Sequence, residues 1–341
     1  MAMAPKLNFK YEWKIPVPWG ELVLRRCGKS GGEPVLLIHG RQDSSTVFEP
    51  ILEFMPDTYN YVALDMPGNG LSTPLPNGPK LTRLHFLSAM ELAVNYLGWK
   101  KFIFIGHSMG CEQGLFYNTV YPGRITKMIL LDAVPTLMRM QIQDLAEFQR
   151  TYYDDYYKNY AKENFLRKCR TRPAALTALR RLRDMSEAQA QRLLDRNFHP
   201  ITRESERSST AQAQQGNDEA IDRIMERIDH LRETDPEGYL SWDNRLKNLA
   251  PTYYGNDYYF ELFKSVPPTL LITASDGAKH VPKKWHKGAY ELVDRLLKNV
   301  ENFRQIKVEG GHDVHYTHPE RVAPYVLKFL DENNNKVCCK L

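Results

Sequence analysis

Short, mostly apolar runs recur along the chain, and most are followed directly by Gly, Asp or His. The runs are Val35–Ile38, Tyr61–Leu64, Phe102–Ile105, Met128–Leu131, Leu270–Thr273 and Phe303–Val308. Such runs are typical of strands buried on both faces of a parallel sheet. Helical patterns lie between several of them, for example at Leu81–Leu97 and Met109–Tyr121. This alternation predicts an α/β fold, with a mostly parallel central sheet flanked by helices.

Two regions differ from this alternation. The stretch from Phe9 to Arg26 alternates polar and apolar residues around Pro16–Gly20, which predicts an antiparallel hairpin. Between Val134 and Val266 no comparable apolar run occurs, and Tyr, Arg, Gln and Glu recur at helical spacing. We interpret residues 134–266 as a helical cap inserted into a core made of residues 1–133 and 267–341, the last including a C-terminal tail.

Composition excludes several classes of protein. With 341 residues, 42% hydrophobic and 26% charged, the chain is long enough to bury a core without disulfides. It has no apolar run long enough to span a membrane and no apolar secretory signal at its start. The net charge of +5 is weak, and acids close behind Arg180-Arg181-Leu182-Arg183 favour a solvated helix face over a nucleic-acid surface. The five cysteines lack metal-binding spacing, so no metal or cofactor is expected.

The segment Gly106-His107-Ser108-Met109-Gly110 follows a predicted strand and precedes a predicted helix. This is the context of a nucleophile elbow, in which glycines allow a tight turn that raises the serine hydroxyl above the sheet edge. A serine hydroxyl needs a base to accept its proton. His312 follows Gly310-Gly311 after the last strand run and is the candidate base. His315 and His318 lie nearby, but no carboxylate or cysteine spacing completes a metal site.

The acid that orients the histidine has two candidates. Asp276 follows Leu270–Thr273 and Asp132 follows Met128–Leu131, so both obey the chain order Ser, acid, His. Topological analogy favours Asp276. The oxyanion would be held by two backbone N–H groups, those of Met109 and of Arg41 in the loop after the first buried strand. The turn Asp65–Ser72 is interpreted as structural.

Taken in order, these motifs resemble the α/β-hydrolase superfamily over nearly the whole chain. Val17-Pro18-Trp19-Gly20, His39-Gly40-Arg41-Gln42-Asp43 and Leu130-Leu131-Asp132 resemble, more narrowly, the animal serine hydrolase-like (kraken-type) proteins, with weaker support from Trp242–Leu246. The chain departs from that group at Arg41, where an aromatic residue is common, and at Asn69, where His is usual. The resemblance implies a serine hydrolase. Related hydrolases that open epoxides or remove halides carry an Asp in the elbow, so Ser108 argues against those reactions.

We therefore expect cleavage of a carboxylic ester of a small to medium acyl substrate through an acyl-enzyme. The alternatives are an acyl-CoA thioesterase and a non-catalytic ligand-binding protein on the same fold. The chain ends Cys339-Lys340-Leu341, a variant of the Ser-Lys-Leu peroxisomal address, so its predicted partner is a peroxisomal import receptor and its location the peroxisome or the cytoplasm. Tyr152, Tyr153, Tyr156, Tyr157 and Tyr160 are predicted to share one broad helix face.

Overall fold

The computed structural model describes residues 6–134, 144–164, 169–201, 237–247, 249–250, 254–279, 281 and 283–332. The side chains of residues 182, 284 and 285 are not included. The predicted import signal Cys339–Leu341 lies outside the described residues.

Eight strands form one mixed sheet. They are β1 Tyr11–Val17, β2 Gly20–Gly28, β3 Pro34–Ile38, β4 Asn60–Asp65, β5 Phe102–His107, β6 Ile125–Leu131, β10 Thr269–Ala274 and β11 Phe303–Val308. Their spatial order is β1-β2-β4-β3-β5-β6-β10-β11. The first two strands pair antiparallel, as the hairpin prediction required. In the spatial order from β4 onward, each strand pairs parallel with the next. The predicted α/β fold is confirmed.

Alternating residues of the central strands supply two core layers. In β3, Leu36 and Ile38 belong to the cluster on one face, whereas Val35 and Leu37 belong to the cluster on the other. Successive side chains of a strand point to opposite faces, so a strand covered on both sides must be apolar throughout. All six residues of β4 are buried, and the four between Asn60 and Asp65 are apolar for this reason. The continuous apolar runs in the sequence are the direct consequence.

Helices cover both faces of the sheet. They are α1 Glu49–Leu52, α2 His85–Tyr96, α3 Met109–Val120, α4 Leu145–Phe148, α5 Asp155–Lys158, α6 Tyr160–Asn164, α7 Arg172–Arg183, α8 Glu187–Asn197, α9 Asn256–Lys264, α10 Lys283–Asn299, α11 Val314–Thr317 and α12 Ala323–Asp331. Short 3-10 turns occupy Ser45–Phe48, Asn244–Leu246 and Pro319–Arg321, and a π turn occupies Gln149–Asp154. None of the described helices is both long enough and apolar enough to cross a bilayer.

The interval between β6 and β10 is less purely helical than the sequence predicts. It contains a small antiparallel sheet of three strands, β7 Cys169–Thr171, β8 Phe198–Pro200 and β9 Glu237–Leu240. In this sheet β9 lies between β7 and β8. Strands of three or four residues are too short to give a period-2 signal, which is why the pattern missed them. Much of the interval also packs into the core, since α7 and α8 join one core cluster and α9 joins the other.

The five tyrosines lie on a helical segment that is not regular throughout. Gln149–Asp154 is a π turn and Asn159 separates α5 from α6, yet the rings of Tyr156, Tyr157 and Tyr160 contact one another. Tyr156 is buried and its hydroxyl donates to the Gly78 carbonyl oxygen at 2.6 Å, whereas Tyr157 is 54% exposed. Tyr156 therefore packs this part of the insertion onto the core.

Candidate active site

The turn between β5 and α3 holds Ser108 in a backbone conformation that few residues adopt. Its φ and ψ are 51° and −120°, and its N–H donates to the Leu131 carbonyl oxygen of the next strand. Glycine is required at both flanking positions, because a side chain there would collide with neighbouring atoms. A Cβ on Gly106 would lie 2.7 Å from the Phe104 ring, and one on Gly110 would lie 2.2 Å from the Ile38 carbonyl oxygen. The sequence pattern and the observed elbow therefore have the same steric cause.

The structure brings Ser108, His312 and Asp132 together at the carboxyl edge of the sheet. Nε2 of His312 lies 2.8 Å from Oγ of Ser108, and Nδ1 of His312 lies 2.6 Å from Oδ2 of Asp132. The other carboxylate oxygen of Asp132 accepts the Ala274 N–H at 3.0 Å. A nucleophile hydrogen-bonded to a base, which is hydrogen-bonded in turn to an orienting acid, is the geometry of an activated serine.

Asp276, which topological analogy favoured as the acid, does not occupy that position. Its side chain is 56% exposed and lies 3.6 Å from Lys279 Nζ, while its backbone N–H donates to the Gly310 carbonyl oxygen of the histidine loop. Asp132 reaches His312 because its backbone is left-handed, with φ 49°, and because Gly277 leaves room for its carboxylate. A Cβ on Gly277 would lie only 2.0 Å from Oδ2 of Asp132.

The environment of His312 favours the protonated imidazole. Burial lowers the pKa of His312, but the hydrogen bond and the negative charge of Asp132 outweigh burial and raise it above the ordinary value. The side chain retains 26% exposure, so a substrate can reach it. A base of this kind accepts the serine proton and is stabilised once charged.

The loop after β3 lies directly against the nucleophile. A Cβ on Gly40 would lie 3.0 Å from the Ser108 Cβ, so only glycine fits without displacing the elbow. Within the described chain, neither Arg41 N–H nor Met109 N–H donates to a protein acceptor. Both of the predicted oxyanion donors therefore lie in segments that border Ser108. The Arg41 guanidinium donates to the Lys247 carbonyl oxygen at 3.2 Å, which ties this loop to the insertion.

Two further histidines pack beneath the site. The His107 ring lies 4.8 Å from the His312 ring and 4.1 Å from the His315 ring, measured between centroids. Its Nε2–H donates to the His312 carbonyl oxygen at 3.1 Å. Burial, then the nearby histidines, hold the pKa of His107 well below its usual range, and burial lowers the pKa of His315 to about 3. The lowered pKa values favour the neutral form of both rings, which pack in a row with His312.

A buried ionic cluster joins the two loops that carry the candidate catalytic groups. Asp43 lies in the loop after β3, Asp313 follows His312, and Arg183 ends α7 of the insertion. Asp43, His107 and Asp313 offer ligand atoms within 4.8 Å of one another, which is a possible metal-ligand set by residue type. The Arg183 guanidinium already contacts both carboxylates, at 2.9 Å and 3.8 Å. Its positive charge therefore occupies the place that a metal ion would take between them.

The turn after β4 is structural, as expected. Oδ1 of Asp65 accepts the Ser45 N–H, and Oδ2 accepts the Leu71 N–H and the Arg196 guanidinium. A Cβ on Gly70 would lie 2.1 Å from that carboxylate. The turn therefore anchors the segment after the Gly40 loop.

Sequence reasoning missed Asp43, His107, Arg183 and Asp313 as parts of the site's surroundings, and it placed His315 near His312 without giving it a role in the site. His107 had a usable signal, because it lies inside the elbow motif. Asp43 and Asp313 each lie within three residues of a candidate group. Arg183 had no such signal, because it comes from a helix in the insertion.

The family comparison agrees with this geometry. Residues 33–319 match the model of the family described as alpha/beta hydrolase fold. The serine hydrolase-like protein of Danio rerio is 28% identical over 324 residues, covering 94% of this chain and 88% of the relative. Serine hydrolase-like protein 2 of Homo sapiens is 27% identical, covering 94% and 93%.

The comparison with solved structures supports the same fold. A hypothetical protein of Pseudomonas aeruginosa PAO1 superposes with a TM-score of 0.70 at 19% identity, covering 94% of this chain and 97% of the other. At that identity the likeness concerns the fold alone.

Proposed function

The chain belongs to the α/β-hydrolase-fold family, and on that premise we propose that it is a serine hydrolase that cleaves carboxylic esters through an acyl-enzyme. The observation that carries the proposal is the pair of short contacts of His312, 2.8 Å to Ser108 Oγ and 2.6 Å to Asp132 Oδ2. The relatives named serine hydrolase-like support the assignment to the serine hydrolases, and their names specify no ester.

In the first half-reaction, Ser108 Oγ attacks the acyl carbonyl carbon while His312 Nε2 accepts the hydroxyl proton. Asp132 keeps Nδ1 protonated, so Nε2 is free to act as the base, and its charge stabilises the imidazolium that forms. The N–H groups of Met109 and Arg41 bind the oxyanion. The tetrahedral intermediate then collapses, the bond to the leaving group breaks, and His312 returns the proton to the departing alcohol.

In the second half-reaction, water replaces the alcohol. His312 accepts a proton from the water as its oxygen attacks the acyl-enzyme carbonyl carbon. The second intermediate expels Ser108 Oγ, which takes the proton back from His312, and the carboxylic acid leaves. The balance requires only ester and water, and no cofactor enters any step.

The proposal is tested by mixing the protein with p-nitrophenyl esters of increasing acyl length and following nitrophenol release in the first turnovers. We expect a burst equal to the enzyme concentration if acylation is faster than deacylation, steady turnover, and loss of both in Ser108→Ala. Ser88→Ala is the matched control, because Ser88 is an exposed residue of α2 far in sequence from the elbow.

The same series decides between the alternatives. A higher kcat/KM for acyl-CoA than for an oxygen ester of the same acyl group would replace esterase by thioesterase. Absence of turnover, with the protein folded by circular dichroism, would replace hydrolysis by non-catalytic ligand binding. Equal turnover in Ser108→Ala would contradict the nucleophile.

A further inference from the structure

Arg183 is a mostly buried cation that contacts both catalytic loops at once. Its Nη1 donates to Asp43 Oδ2 at 2.9 Å and its Nη2 donates to the Gln42 carbonyl oxygen at 3.0 Å. Its Nε lies 3.8 Å from Oδ2 of Asp313, the residue that follows His312. Its side chain is 15% exposed, and its Cζ lies 5.9 Å from the Trp242 ring centroid.

These contacts lie where the backbone is under steric strain. The non-glycine residues with left-handed backbone in the described part of the chain are Gln42, Ser108, Asp132 and Asp184. Ser108 and Asp132 are the candidate nucleophile and acid. Gln42 is the residue whose carbonyl accepts from Arg183, and Asp184 is the residue directly after it. Strained conformations persist only where surrounding contacts hold them.

The chemistry of the guanidinium suits this position. Its planar set of donors can bind a carbonyl and carboxylates on different sides, which the compact ammonium of lysine cannot. Asp43 and Asp313 are both largely buried, at 1% and 8% exposure, and two neighbouring carboxylates would repel each other without a cation between them. Arg183 therefore fixes the separation of the two loops as well as their individual conformations.

We propose that Arg183 is a positioning residue of the hydrolase, holding the Gly40–Asp43 loop and the His312–Asp313 loop in the relative placement that catalysis requires. The proposal rests on the proposed function, since it assumes that these loops carry the oxyanion donor and the base. It also gives α7 of the insertion a role in catalysis. Arg183 touches neither Ser108 nor the imidazole of His312 and acts through Gln42, Asp43 and Asp313.

The first test compares Arg183→Ala with Arg192→Ala in the full-length protein. Arg192 lies on α8, is 43% exposed, and faces Glu49 and Glu53 at 3.9 Å and 3.6 Å, so it is a matched cation outside the catalytic loops. We expect Arg183→Ala to lower kcat about 10- to 100-fold with KM within about threefold, because small displacements of catalytic groups carry costs of this size. Arg192→Ala should keep both constants.

The rate of fluorophosphonate labelling at Ser108 separates this inference from the proposed function. If the wild-type protein is not labelled, the proposed function fails. If it is labelled and Arg183→Ala is labelled at the same rate, only the present inference fails. The expected result is labelling of both, with the variant slower by the same factor as its kcat.

Chemical rescue distinguishes positioning from a general loss of stability. Guanidinium chloride at low millimolar concentrations should restore kcat of Arg183→Ala with saturation, whereas equal sodium chloride should not. If Arg183→Ala does not fold, Arg183→Lys is used, which keeps the charge but loses the simultaneous contacts and should lose kcat as well. Wild-type kcat in Arg183→Lys would overturn the proposal, as would a folded Arg183→Ala with undiminished kcat.

The pH dependence of kcat/KM gives a further test, because it would not change if Arg183 only stabilised the fold. The groups that face His312 are Asp132, Asp313, His107, His315 and Arg183. The positive charge of Arg183 lowers the pKa of His312, so its removal should move the acid limb of kcat/KM to higher pH. Arg192→Ala should leave that limb in place. An unmoved limb in Arg183→Ala would contradict the proposal.

Discussion

Oδ2 of Asp132 lies 2.6 Å from Nδ1 of His312, although the two residues are 180 positions apart in sequence. The contact forms because β10 lies between β6 and β11 in the sheet, so the loops after β6 and β11, which carry Asp132 and His312, meet at one sheet edge. Asp132 also accepts the Ala274 N–H, which fixes its carboxylate from the side of β10. The carboxylate of Asp132 is thus held by the His312 loop and by β10.

Replacing Asp132 by Asn should lower kcat by roughly 10³- to 10⁴-fold, because the amide no longer holds the imidazole in the tautomer that accepts the serine proton. Asp276→Asn is the matched control, since this carboxylate is 56% exposed and its backbone N–H is unchanged. Its kcat should stay within about twofold of wild type, as for a surface substitution. Ester hydrolysis by both variants decides the assignment, and the reverse ranking would restore Asp276 as the acid.

The pH dependence of kcat/KM should show an acid limb above pH 6.5, the ordinary pKa of histidine. Only neutral His312 can act as the base, so activity is lost as pH falls through its pKa, which Asp132 raises against the effect of burial. In Asp132→Asn the limb should move to lower pH while the plateau falls. A wild-type limb at or below pH 6.5 would show that Asp132 does not raise the pKa.

Gly277→Ala should impair catalysis without contact to substrate, because the added methyl group would lie 2.0 Å from Asp132 Oδ2 and push the carboxylate away from His312. Gly288→Ala is the control, since a Cβ there meets nothing within 4 Å and Gly288 lies inside α10. That control should be stabilised by about 0.5–1 kcal/mol with unchanged kcat. Equal kcat in the two variants would refute the tight packing of Asp132.

Arg196→Gln should reduce the free energy of unfolding by about 3–5 kcal/mol, because it leaves a buried carboxylate unpaired. Burial alone would raise the pKa of Asp65, but the charge and hydrogen bonds of Arg196 hold it below its usual range. The stabilisation is therefore present at neutral pH and lost as pH falls through the pKa of Asp65 in the folded protein.

Urea unfolding of Arg196→Gln at several pH values measures this effect. Because the variant loses the cation that keeps Asp65 ionised, its deficit should be largest near neutral pH and shrink in acid. Arg192→Gln, whose guanidinium is 43% exposed, should change the free energy by less than about 0.5 kcal/mol. A pH-independent deficit in Arg196→Gln would contradict the pairing with Asp65.

The sequence was sufficient to predict the strands of the eight-stranded sheet, the elbow and the approach of His312 to Ser108. Strands buried on two faces must be apolar throughout, and the steric limits at Gly106 and Gly110 leave a visible motif. These features depend on local physical requirements that each act on a few consecutive residues.

The acid was not determined by the sequence, because Asp132 and Asp276 follow neighbouring strands of the sheet. The choice depends on the left-handed backbone of Asp132 and on the space beside Gly277, and neither is visible in residue order. Topological analogy therefore pointed to Asp276, whereas the carboxylate within hydrogen-bonding distance of His312 is that of Asp132.

The run Arg180-Arg181-Leu182-Arg183 shows a second limit. Arg180 is 47% exposed and pairs with Glu187 at 3.1 Å, so the prediction of a solvated face holds for it. Arg183, three residues later, is turned inward to Asp43. Acids nearby in sequence suggested solvent-exposed pairing, whereas the actual partners are 140 and 130 residues away in sequence.

The central claim is that Ser108 is activated by His312, and mass spectrometry of the intact protein after treatment with a fluorophosphonate tests it most directly. We predict one adduct per chain, located on Ser108 by peptide mapping, and absent in His312→Ala under the same conditions. No adduct on folded wild-type protein, or equal labelling of His312→Ala, would contradict the account.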